Sequence, residues 1–139
     1  MIKVRWIDGM KFYAVGDSGH GVLLDTSPDV GGDDTAARPM EFFLFSLGGC
    51  TGMDVVSILR KMRVKPDEFW MEITSERKPE HPKYYTDVKI VYHFRGRDLP
   101  REKIEKAVNL SQDRYCPVSA MIKMFANFSY EIVLHQDGE

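Results

Sequence analysis

Residues 40–59 constrain the fold more than any other stretch of this chain. Twelve of these 20 residues are apolar, and roughly 20 apolar residues suffice for a helix that crosses a bilayer. The same run carries Glu41 and Asp54 and the glycines Gly48, Gly49 and Gly52. Carboxylates inside a membrane span are costly, so the reading is instead a helix covered on nearly all sides, at the centre of a domain or a dimer. Pro39 suits the first helical position, and Arg60, Lys61 and Arg63 suit the negative end. A helix is therefore predicted over 39–63, roughly 37 Å long. Mid-helix glycine costs about 1 kcal/mol against alanine, so Gly48-Gly49 marks a kink or a close backbone approach.

The remaining pattern is mostly of period two. Residues 2–7, 11–15 and 21–25 read as strands joined by the turns Asp8-Gly9 and Gly16-Asp17-Ser18-Gly19. Residues 26–38 form a 13-residue stretch without a usable period, a length typical of functional lids or mobile segments. Two further strands fall at 69–76 and 85–94, where Val88, Ile90, Tyr92 and Phe94 share an apolar face. A helix begins near Arg101 and a third at Pro117, with a closing strand at 128–134. Blocks of strands and helices, without strict alternation, define an α+β chain. At 139 residues, 16.0 kDa and 43% hydrophobic content, one domain spanning 1–139 is expected.

Charge and motifs exclude several classes. Nineteen basic against 21 acidic residues leave a net charge of -2, which is no footprint for nucleic acid or an anionic membrane. Charges at Lys3, Arg5 and Asp8 interrupt any leader-like apolar run, so a reducing cytoplasm is the expected compartment. His20, His81, His93 and His135 form no metal-ligand spacing, and two cysteines are too few for a Cys-rich zinc site. No metal and no cofactor are expected. Phosphate-loop and serine-elbow motifs are absent from the sequence.

The chemistry then rests on Cys50 and Cys116. Pro117 at a first helical position makes Cys116 the residue capping that helix, where unpaired N–H groups favour a thiolate, with Arg114 adding positive potential. The bland alternative is a small buried hydrophobe, the commoner fate of a lone cysteine. Cys50 sits among Gly48, Gly49 and Gly52, which strip bulk from around its sulfur. Helical spacing places Phe43, Leu47, Met53, Asp54 and Ser57 on its side and Glu41 about opposite. Asp54 beside it raises the thiol pKa.

Two stretches together resemble a known family. Arg38-Pro39-Met40-Glu41 with Leu47-Gly48-Gly49-Cys50-Thr51-Gly52-Met53-Asp54-Val55-Val56-Ser57-Ile58-Leu59, and later Tyr115-Cys116-Pro117-Val118-Ser119-Ala120, look like the OsmC/Ohr family of osmotically inducible and organic hydroperoxide resistance proteins. The cysteines stand 66 residues apart, as that family leads one to expect, and the match is closest to its OsmC-like branch. The resemblance implies antiparallel sheets wrapped around long central helices in an intertwined homodimer, with active sites at the subunit interface. It implies thiol-dependent peroxide reduction, with Cys50 attacking and Cys116 resolving. It places the catalytic acid one residue later than usual, at Glu41. The early turn that carries the family's activating arginine reads Gly16-Asp17-Ser18-Gly19-His20-Gly21, so Arg38 is the nearest substitute.

The leading expectation is a cytoplasmic two-cysteine peroxidase acting on organic hydroperoxides, with hydrogen peroxide a further candidate, and regenerated by an external dithiol. Its cysteines should lie within disulfide reach. An arginine, Arg38 or one from a partner subunit, should activate Cys50, with Glu41 orienting it through charge-assisted bonds. The rivals are a non-catalytic small-molecule binding protein on the same fold and a purely structural cysteine pair.

Overall fold

Alternating side chains at the start of the chain build three short strands, β1 (Lys3–Asp8), β2 (Lys11–Val15) and β3 (Gly21–Leu24), in an antiparallel sheet of order β1-β2-β3. The computed structural model describes residues 1–138. Its chain divides into two compact units, Met1–Phe45 and Ser46–Glu139. Helix α1 (Pro39–Lys61) starts in the first and continues into the second. Gly9 in the β1–β2 turn takes φ +51°, a conformation that glycine tolerates best. Apolar side chains of this sheet remain in solvent, Trp6 being 62% and Val4 60% exposed.

The aperiodic stretch 26–38, of a length typical of functional lids or mobile segments, is fastened by hydrogen bonds along its length. A single 3₁₀ turn (Pro28–Val30) is followed by backbone bonds from Gly32 N–H to Ser27 O (2.9 Å) and from Asp34 N–H to Thr26 O (3.1 Å). Lys11 reaches across to Asp33. Buried Asp25 accepts from Thr26 N–H (2.8 Å) and from Thr35 through its N–H (3.0 Å) and hydroxyl (2.6 Å). The donors of Thr35, with that of Thr26, hold the Asp25 carboxyl well below the usual range. A depressed carboxylate contributes stability above its unfolded pKa of about 3.9 and loses it as pH falls through the folded value. Chemical denaturation of wild type should therefore lose more stability below about pH 4 than that of Asp25→Asn, whose side chain does not ionise.

The second unit holds the core. Strands β4 (Glu68–Arg77) and β5 (Tyr85–Gly96) pair antiparallel, with Phe69 opposite Phe94, Met71 opposite Tyr92 and Ile73 opposite Ile90. The last strand, β6 (Asn127–Gln136), lies on the other side of β5 and runs parallel to it. This corrects the expectation of antiparallel sheets throughout. Parallel neighbours require a crossover, and helices α2 (Arg101–Leu110) and α3 (Pro117–Lys123) form it. Ile90, Tyr92, Phe94, Ile104, Ala107, Val108 and Ile122 are fully buried.

Helix α1 contributes Leu47, Thr51, Gly52, Val55 and Leu59 to this core, a stripe of helical period. The glycines serve close approach: a Cβ at Gly52 would stand 2.9 Å from Met71 Cε, and one at Gly48 3.3 Å from Ile73 Cδ1. One chain covers only this side, because Met53 is 76% exposed. All-round burial is thus not met within a chain. The helix also stops at Lys61, two residues before the predicted end. Arg63 takes φ +59°, and bonds from Val64 N–H to Leu59 O and from Arg63 N–H to Arg60 O close a Schellman turn.

Candidate functional site

On α1, Cys50 and Asp54 are four residues apart and so share a face, one turn above the other. Cys116 comes from the segment between α2 and α3. There the chain widens into a π turn (Ser111–Tyr115), closed by Cys116 N–H donating to Ser111 O at 2.8 Å. Pro117 then starts α3, and Cys116 caps it, its sulfur accepting from Ser119 N–H at 3.4 Å. This is the capping role that the Cys-Pro step predicts.

The two free thiols and the Asp54 carboxylate converge. One donor atom from each of Cys50, Asp54 and Cys116 lies within 4.8 Å of the other two. Cys116 is buried at 3% exposure, whereas Cys50 is half-buried. Burial pushes the Cys50 thiol above its ordinary pKa. The hydrogen bond with Cys116 and the negative charge of Asp54 act in the same direction, and the Val118 N–H opposes them.

A polar network joins four elements, α1, β5, the π turn and α3. Ser111 Oγ donates to Asp54 Oδ2 at 3.0 Å and lies 2.7 Å from Thr51 Oγ1. Thr51 Oγ1 is 2.7 Å from Tyr92 Oη, which also accepts from Gln112 Nε2 at 2.6 Å. Lys123 Nζ donates to Gln112 O at 2.7 Å. Burial keeps the Tyr92 phenol above its usual pKa and hence neutral. Beyond Asp54, the sequence singles out only Tyr92 of these partners, and that for its place on the apolar face of β5 rather than for its hydroxyl.

Arg38 and Glu41 meet at the start of α1, in a different arrangement from the one expected. Glu41 Oε1 accepts from the backbone N–H of Arg38 at 3.0 Å, the reciprocal half of a capping box. The Arg38 guanidinium pairs with Asp34 (2.7 Å) and donates to Ala36 O (2.9 Å). Glu41 therefore fixes the main chain of Arg38, while Asp34 holds its charge.

The histidines, which have no spacing pattern in sequence, are partly gathered by strand register. His93 on β5 bonds His135 on β6 (Nδ1 to Nε2, 3.0 Å) and pairs with Glu72 at 2.6 Å. Trp70 stacks on both rings, with centroids 4.8 and 5.2 Å away. This cluster lies on the sheet face opposite Met71 and Tyr92, as alternation requires.

A fold of this connectivity, with paired cysteines on the long helix and before the last one, defines a family. The chain belongs to the OsmC-like protein family, which it matches over residues 31–131. Protein YhfA of Escherichia coli (strain K12) is 38% identical over 133 residues, covering 94% of this chain and 96% of that protein. A hypothetical protein from Aquifex aeolicus VF5 has a solved structure with TM-score 0.78 and 28% identity, over 98% of this chain and 97% of its own. The organic hydroperoxide resistance protein OhrB of Bacillus subtilis shares the fold, with TM-score 0.64, 18% identity and coverage of 95% and 96%. Two nearby cysteines in a member of this family are consistent with redox chemistry.

Proposed function

We propose that this chain is a thiol-dependent peroxidase, a single OsmC-like domain over 1–139 that works as a cytoplasmic homodimer. The supporting observation is the approach of the Cys50 and Cys116 sulfurs to within 4.8 Å across 66 positions of sequence. Cys50, the more accessible thiol, attacks one peroxide oxygen as thiolate. The O–O bond breaks, the alcohol leaves, and Cys50 becomes a sulfenic acid. The Cys116 thiol condenses with it to a disulfide and releases water, and an external dithiol restores both thiols. The cycle uses no metal, haem or flavin.

Arg38, or an arginine of a second copy, supplies the positive charge that favours the Cys50 thiolate, and Glu41 holds Arg38 in place. The homodimer reading draws on the uncovered apolar side of α1 and on the exposed Val4 and Trp6 of β1, since large apolar patches mark interaction surfaces. One observation favours a second reading, a non-catalytic small-molecule binding protein. A carboxylate, Asp54, stands beside the two thiols, and the Cys50 thiol is held high.

Consumption of an organic hydroperoxide with a dithiol donor, in the presence of a chelator, separates the two readings. Wild type should turn over, and Cys50→Ser should fall to the uncatalysed rate. Arg38→Ala should lose about tenfold or more in kcat/KM. A wild type no faster than Cys50→Ser leaves the binding protein as the function.

A further inference from the structure

Two thiols and a carboxylate with converging donor atoms make a set that no spacing in the sequence reveals. We propose that Cys50, Cys116 and Asp54 form a three-donor site for one divalent thiophilic cation, zinc above all. Zn–S bonds of about 2.3 Å and Zn–O bonds of about 2.0–2.2 Å place tetrahedral donors about 3.5–3.8 Å apart. The three donor atoms already lie within 4.8 Å of one another, so shifts on the order of an ångström bring them to that spacing.

The surroundings suit an ion as well. Among the described residues no ion pair engages Asp54. One of its oxygens is oriented by the Ser111 hydroxyl, and its other oxygen is left for a cation, the arrangement that outer partners give to metal-binding carboxylates. The Cys116 sulfur accepts a backbone N–H from Ser119, and such bonds support thiolate ligands. Asp54 also borders an open cleft of about 310 Å³ with Ser57, Lys61, Leu110 and Tyr115, so its carboxylate is reached from solvent. Three protein donors leave the fourth zinc position to water, the pattern of open rather than closed sites. Two thiols and one carboxylate also prefer zinc or cobalt to magnesium or calcium, which favour all-oxygen shells. On binding, the two thiol protons pass to solvent.

Cobalt titration of the reduced, metal-free protein tests this without peroxide. The expected result is one Co²⁺ per chain, a near-ultraviolet thiolate-to-cobalt band and the intense visible bands of a tetrahedral site, all displaced by Zn²⁺. Cys50→Ser and Cys116→Ser should each weaken binding by about a hundredfold or more, and Asp54→Asn by at least about tenfold. His93→Ala should bind like wild type. Circular dichroism confirms that each variant is folded before titration, and Asp54→Asn, which keeps the side-chain shape, carries the test if a cysteine variant fails to fold. Absence of the charge-transfer band at excess Co²⁺ overturns the proposal, as does binding unchanged in Asp54→Asn. Peroxide turnover in chelator is a separate readout, so a failed metal site leaves the peroxidase reading untouched, and the converse also holds.

Discussion

With Cys116 replaced by serine, the protein is expected to consume one equivalent of hydroperoxide per chain and then stop. Steady-state consumption should fall on the order of a thousandfold. Cys116 is 3% exposed and its sulfur caps α3, whereas Cys50 is half-buried on α1. In the proposed cycle peroxide therefore reaches Cys50 first, even though the capping position alone favours thiolate at Cys116. Without Cys116 the sulfenic acid on Cys50 has no neighbouring thiol to condense with, and a sulfenic-acid trap should label Cys50 by mass spectrometry. If Cys116→Ser turns over at the wild-type rate, the disulfide step is not part of the cycle. Labelling at Cys116 in Cys50→Ser would reverse the two roles.

The largest effect on stability is expected from Phe94→Ala. Phe94 is fully buried on β5, stacks on Phe69 with centroids 4.5 Å apart and planes 1° from parallel, and stands opposite Leu134 of β6. Its removal leaves a cavity between two strands and costs about 3–5 kcal/mol. The midpoint of thermal unfolding should drop by roughly 10 °C or more. Lys89→Ala on the same strand is the control. Lys89 is exposed, and its 3.5 Å pair with Glu131 lies in solvent, so the change should stay within about 0.5 kcal/mol. Similar urea midpoints for the two variants would show that this aromatic stack is not central to the fold.

How legible these features were in sequence depends on the range of the interaction. Residues 85–94 alternate so regularly that β5 and its buried face follow from period alone, and Cys116-Pro117 announces the start of α3. The direction of β6 does not follow, because the apolar pattern of residues 128–134 reads the same in either orientation. Only the crossover through α2 and α3 fixes it. Glu41 is legible in position but not in the atom it binds. Three positions after Arg38 and just inside a helix, it satisfies a local main-chain donor before it can serve a distant side chain. The π turn before Cys116 and the Trp70, His93 and His135 cluster depend on backbone widening and strand register, and neither leaves a periodic trace. Asp54 beside two sulfurs was half legible: helical spacing put it next to Cys50, but only the tertiary fold brings Cys116.

The hydroxyl network behind the site has a direction. Ser111 has one hydroxyl proton, and it is given to Asp54. The bond between Thr51 and Ser111 must then be donated by Thr51, and the bond between Tyr92 and Thr51 by Tyr92. Gln112, whose amide N–H points at the Tyr92 oxygen, completes the same sense. Every proton in the line is aimed at one carboxylate, and bonds aligned in this way polarise and strengthen one another. Through the phenol of Tyr92, the middle strand of the sheet shares one continuous line of hydrogen bonds with a carboxylate on the long helix.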